Sequence, residues 1–256
     1  MNTDVLTGVM IPFFGTALGA SFVFFMKREF NFYLEDFLSV VAGGIMTAAS
    51  VWSLIIPAIE GSAELGRFAF VPCCIGIVAG CVFMIISGEI TDFLFSARVG
   101  KTAGYKNINT VLAVTIHNIP EGMAVGGVYA SAVATESEHL YAAALALSIG
   151  IAVQNIPEGA VISMPLYAGG RPKSRAFLSG AFSGIVEPLG AISALITVKT
   201  VGVLLPYFLS FAAGTMLFVV TQELIPEIKY KGRFPLRGIG FTLGFLIMMS
   251  LDVALS

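Results

Sequence analysis

The chain has 256 residues, 57% hydrophobic and only 12% charged, with a formal net charge of −2 and a mean hydropathy of +0.90. A water-soluble domain needs about a quarter of its residues charged to cover its surface. The composition therefore excludes a soluble fold and makes lipid the main solvent; no nucleic-acid partner is expected.

Long apolar runs follow one another at short intervals. A hydrocarbon core about 30 Å thick is crossed by roughly 20 apolar helical residues, and backbone groups in lipid must be satisfied internally, which makes the runs helices. The first span, near 4–26, enters at Asp4 and stops at Lys27-Arg28; without a basic n-region and a small-residue cleavage site it does not read as a cleaved signal peptide. The second lies near 36–59. The third, near 72–95, holds Cys73, Cys74 and Cys81, which read as small buried hydrophobes because their number is odd and no CxxC is present. Spans four to eight lie near 108–132, 140–164, 176–198, 201–224 and 235–254. No interval between them can hold a soluble domain, so residues 1–256 are expected to form one all-α polytopic membrane domain with eight transmembrane helices.

Charge sets the expected orientation. Alternate connections carry Lys27 and Arg28, then Arg98, Lys101 and Lys106, then Arg171, Lys173 and Arg175, then Lys229, Lys231, Arg233 and Arg237, twelve of the 14 Lys and Arg residues. The other connections hold only Arg67 and Lys199. By the positive-inside rule the Lys/Arg-rich side is cytoplasmic, which places both termini outside and requires an even number of spans. Glu136, Glu138 and His139 fall in an outer loop as solvated charge.

The chemistry lies inside the spans. Span four contains His117-Asn118-Ile119-Pro120-Glu121-Gly122, and span five contains Gln154-Asn155-Ile156-Pro157-Glu158-Gly159. An ionisable group at the bilayer centre costs about 2.5–3.5 kcal/mol on insertion scales and marks function by default. Residues three and four apart share a helix face, so His117, Asn118 and Glu121 project together, as do Gln154, Asn155 and Glu158. Pro120 and Pro157 each remove a backbone donor and obstruct the carbonyl four residues earlier, so both helices are expected to kink. Broken or bent helices at the midplane are where carriers bind ions. Span six adds Glu187-Pro188. Three carboxylates, one imidazole, side-chain amides and no thiolate suit Zn²⁺, Fe²⁺, Mn²⁺ or Co²⁺ and argue against a Cu⁺ site. One ion or two fit equally.

These motifs resemble the ZIP family of zinc- and iron-regulated transporter-like proteins, and the resemblance extends over nearly the whole chain. It implies an inverted repeat in which spans 1–3 mirror spans 6–8 around the central pair, and a homodimer. It implies that His117, Glu121, Gln154 and Glu158 ligate one metal position, while Asn118, Asn155 and Glu187, with both bridging glutamates, ligate a neighbouring one. Gln222, Glu223 and Glu227 then fall on a cytoplasmic release route, and Ser53 and Glu60 at the outer entrance. Relatives often carry His where this chain has Gln154 and an acid where it has Asn155. The His-rich loop of many relatives is missing between spans three and four.

The expected function is movement of a divalent cation, Zn²⁺ foremost and Fe²⁺, Mn²⁺, Co²⁺ or Cd²⁺ behind it, into the cytoplasm; in a bacterium the location is the inner membrane. The metal is cargo and no cofactor is expected. With no Gly-x-x-x-x-Gly-Lys-Ser/Thr loop, ATP does not drive it directly. The alternatives are an intramembrane metalloenzyme, which lacks a His-Glu-x-x-His helix, and a proton- or sodium-coupled carrier of an organic solute.

Overall fold

A computed structural model describes residues 3–27, 32–99, 103–200, 202–225 and 235–255. The helices are α1 (Thr3–Ser21), α2 (Phe32–Ala49), α3 (Ile56–Glu60), α4 (Phe70–Val99), α5 (Ala103–Thr135), α6 (Glu138–Ala168), α7 (Lys173–Ser183), α8 (Val186–Thr200), α9 (Leu205–Val219) and α10 (Leu236–Leu255); no strand occurs among the described residues. Seven helical stretches among them are long and apolar enough to cross a membrane, and the protein is an all-α polytopic membrane protein. The expected span 108–132 lies in α5, a 33-residue helix that is not among the seven.

Three spans depart from simple helices, each beside a proline. Span two passes from α2 into α3 through a π-helical stretch, Ser50–Ile55, just before Pro57. Span seven ends in a second π-helical stretch, Val220–Leu224, just before Pro226 in the sequence. Such wide turns spread the helix and often mark functional positions. Span six, expected as one helix over 176–198, is two. Pro188 cannot donate to the Gly184 carbonyl and its ring crowds that oxygen; the chain turns at Gly184 and Ile185, with the Glu187 amide donating to Gly184 O at 3.1 Å. α5 and α6, by contrast, remain α-helical through Pro120 and Pro157.

The most extensive helix packing pairs α1 with α6, α5 with α8, α4 with α9, and α2 with α10. In span numbers these are 1 with 5, 4 with 6, 3 with 7, and 2 with 8. Exchanging spans 1–3 for 6–8 and 4 for 5 maps this set of pairs onto itself, as a repeat requires. Helices in lipid associate through close packing of small residues, and the glycines mark these seams. A Cβ on Gly19 would run into the Ile156 carbonyl, and one on Gly190 into the Ile119 carbonyl. The result is an α1, α5, α6, α7, α8 group beside an α2, α3, α4, α9, α10 group, joined mainly by α5 against α9 and α2 against α6.

Ile75, Val78, Val82, Ile85, Ile86 and Phe93 of α4 are exposed, consistent with a lipid-facing surface. The three cysteines are free; Cys73 is buried but Cys74 is exposed. The expectation of burial fails for Cys74 because neighbours on a helix point about 100° apart, and only one of an adjacent pair can face the bundle.

Candidate metal centre

Two local rules place the polar side chains. Three- and four-residue spacing on α5 and α6 puts each motif on one face, and the α5–α6 contact turns the two faces toward each other. The break before α8 sets Glu187 in that helix's first turn, where the positive end of the helix dipole favours a carboxylate. His117, Asn118, Glu121, Gln154, Asn155 and Glu187 are 0–1% exposed, and Glu158 is 5% exposed.

His117, Glu121 and Glu158 each offer a ligand atom, and these atoms lie within 4.8 Å of one another, a spacing that one cation can span. His117 Nε2 is 3.1 Å from Glu158 Oε1. On the other side of the cluster, Asn118 Nδ2 donates to Glu187 Oε1 at 3.2 Å and to Ser183 O at 3.3 Å. Thr16 Oγ1 donates to the same Glu187 oxygen at 2.9 Å. Asn155 Nδ2 points to Pro12 O at 3.5 Å.

What stands out is what these side chains do not do. Both carboxylate oxygens of Glu121, Oε2 of Glu158, Oε2 of Glu187, and the amide oxygens of Asn118 and Asn155 have no hydrogen-bond partner, and Oε1 of Glu158 has only the His117 contact. Buried polar atoms in proteins are nearly always satisfied, and an unsatisfied carboxylate oxygen is expensive. Among the described residues, every buried side-chain oxygen or nitrogen left this way belongs to the predicted ligand residues, except Oδ2 of Asp252. A cluster of oxygen ligands with one imidazole and no thiolate matches the chemistry of Zn²⁺ and related divalent ions. A doubly charged cation offsets two of the three buried carboxylates.

The route residues separate. Ser53 lies in the first π-helical stretch and donates to Asp252 Oδ1 of α10. Glu60 is exposed at the end of α3. Gln222 is exposed and Glu223 half-buried in the second π-helical stretch. Glu227 lies outside the described residues. Toward the α5–α6 turn, Val125, Tyr129, Leu147 and Ile151 join Leu54 and Met216 in the main apolar core, which closes that side.

Sequence reasoning missed two polar partners. Asp252 carried a usable signal, an acid in an apolar span. Thr16 carried none, since a threonine is ordinary in a membrane helix.

A family model described as ZIP Zinc transporter matches residues 96–252. Zinc transporter ZIP11 of Xenopus tropicalis is 31% identical over an alignment covering 98% of this chain and 96% of that protein. Zinc transporter GufA of Myxococcus xanthus is 34% identical over 80% of each chain. Zinc transporter ZIPB of Bordetella bronchiseptica is 32% identical, covering 95% of this chain and 78% of that protein.

Proposed function

The chain belongs to the ZIP zinc transporter family and is a divalent-metal transporter, not an enzyme; from that premise we propose that it carries Zn²⁺ into the cytoplasm through the pocket between α5, α6 and α8. The observation that supports this most is the buried cluster of His117, Glu121 and Glu158, whose ligand atoms lie within 4.8 Å of one another.

In this reading the hydrated ion enters from the side of the α5–α6 turn, past Ser53, Asp252 and Glu60. It exchanges water for His117, Glu121, Glu158 and the Gln154 amide. Asn118, Asn155 and Glu187, with the two shared glutamates, receive a second ion or the same ion in transit. Glu223, Gln222 and Glu227 draw it toward the cytoplasm. Fe²⁺, Mn²⁺, Co²⁺ and Cd²⁺ are candidate competitors because the oxygen-rich ligand set discriminates weakly among them.

Movement comes from the two helix groups sliding against each other. The first group carries every proposed ligand, and the apolar core on the α5–α6-turn side must part for the pocket to open outward. Ligands must shed protons to bind metal, so uptake falls as pH is lowered. In this reading residues 1–256 act as one domain with eight spans, both termini outside, working as a homodimer in the plasma membrane, the inner membrane in a bacterium.

Uptake of radiolabelled Zn²⁺ into proteoliposomes tests it, comparing the native chain with Glu121→Ala and Glu158→Ala. Loss in both variants is the expected result. Native-level uptake in both variants would sink the site.

A further inference from the structure

The two central motifs give a register for the whole repeat. Ile119-Pro120-Glu121-Gly122 on α5 corresponds to Ile156-Pro157-Glu158-Gly159 on α6. Gly190 packs on the Ile119 carbonyl, and Gly19 packs on the Ile156 carbonyl. Gly122 packs on the Glu187 carbonyl, and Gly159 packs on the Thr16 carbonyl. Thr16 stands three residues before Gly19, as Glu187 stands three before Gly190. Thr16 in α1 therefore holds the place that Glu187 holds in α8.

The two counterparts meet. Thr16 is fully buried, and its hydroxyl donates to Glu187 Oε1 at 2.9 Å. Room for it comes from Gly184, where an added Cβ would lie 2.8 Å from both Cβ and Oγ1 of Thr16 and 2.9 Å from Glu187 Oε1. Asn118 Nδ2 donates to that same oxygen at 3.2 Å. Oε1 thus receives two donors while Oε2 receives none. A hydrogen bond to a charged acceptor is stronger than a neutral one, so this pair of donors decides which way the carboxylate turns.

We propose that Thr16 is a positioning residue for Glu187: its hydroxyl, with the Asn118 amide, occupies Oε1 and presents Oε2 as a one-oxygen ligand for a second cation position. This rests on reading the pocket as a cation site. The repeat supplies a carboxylate on one side of its axis and a hydroxyl on the other. The hydroxyl fixes its counterpart without adding a fourth negative charge. The second position is then made of Asn118, Asn155 and Glu187 with the shared glutamates, all oxygen ligands. It is weaker for Zn²⁺ than the position that includes His117.

Equilibrium Zn²⁺ binding to the purified full chain tests this. The readout is binding, so a failure of uptake in the native chain leaves the test standing. The native chain is expected to titrate in two steps. Thr16→Val, which keeps the shape and loses the hydroxyl, should weaken the second step about tenfold, the scale of one hydrogen bond to a charged group, and leave the first within about twofold. Thr16→Ser should restore it. Thr16→Ala, a second probe if the valine variant is poorly folded, should behave like valine. In a Glu187→Gln background Thr16→Val should add nothing, since it acts only through that carboxylate. A single step in the native chain, an unchanged second step in Thr16→Val, a serine variant as weak as valine, or an equal further loss in the Glu187→Gln background each overturns the proposal.

Discussion

His117 Nε2 lies 3.1 Å from Glu158 Oε1, a contact that joins α5 to α6 inside the bundle. Its two residues come from opposite ends of near-identical motifs: the counterpart of His117 is Gln154, and that of Glu158 is Glu121. The pocket is thus symmetric in Glu121 and Glu158 and asymmetric in its imidazole, which sits against one side of the cluster.

At Glu121 a ligand role and a structural role lead to different outcomes. Glu121 is fully buried and neither carboxylate oxygen accepts a hydrogen bond, so Glu121→Gln removes a buried charge that stands beside the Glu158 carboxylate. Replacing a buried ionic group with a neutral one of similar shape is often neutral or stabilising. The metal-free variant should melt no lower than the native chain while Zn²⁺ uptake falls by about tenfold or more, as expected for a lost charged ligand. A lower metal-free melting temperature in detergent would mark Glu121 as a structural group.

Zinc itself should stabilise the native fold. A ligand that binds only the folded state adds about 2.7 kcal/mol at a free concentration of 100 times its Kd. Melting of the purified chain should therefore shift upward with added Zn²⁺, and a Glu121→Gln, Glu158→Gln double variant should lose that shift. A shift that persists in the double variant would place the stabilising metal elsewhere.

Gln154 offers a direct test of selectivity. It is fully buried and lies at the position corresponding to His117. Gln154→His adds a second imidazole, a better ligand for Zn²⁺ than an amide oxygen and a poorer match for Mn²⁺. Zn²⁺ should then outcompete Mn²⁺ by several-fold more than it does in the native chain, measured by competition in the uptake assay. Stronger inhibition by Mn²⁺ would contradict this ligand assignment.

The glycine seams should be equally intolerant in both halves. Gly19 and Gly190 face backbone carbonyls, which cannot rotate away as a flexible side chain can. Gly19→Val and Gly190→Val should each destabilise the protein by about 1–3 kcal/mol, the usual range for overpacking. Thermal melting in detergent checks both. A Val at either position that leaves the melting temperature unchanged would show that the seam is looser than the geometry states.

Most of the proposed ligand set was legible because it is local. Spacing along one helix places His117, Asn118 and Glu121 together without any knowledge of the rest of the chain. The same holds for Gln154, Asn155 and Glu158, and the cost of burying carboxylates in lipid explains why they draw attention. The break in span six was not expected, and proline alone does not decide it, since α5 and α6 continue through Pro120 and Pro157. Gly184, where the first half ends, keeps right-handed helical angles (φ −83°, ψ −9°), so the break does not come from backbone freedom at that glycine.

The sequence by itself determined a lipid-embedded helical chain and a row of candidate metal-ligating side chains on two helices, because hydropathy and helical periodicity act over short stretches. Only the tertiary structure decided which distant groups finish the pocket. Thr16 meets Glu187 across 171 residues of chain, and Ser53 meets Asp252 across 199. Contacts at such separation depend on how helices pack, through glycine seams and a repeat axis, and no short window of residues encodes them.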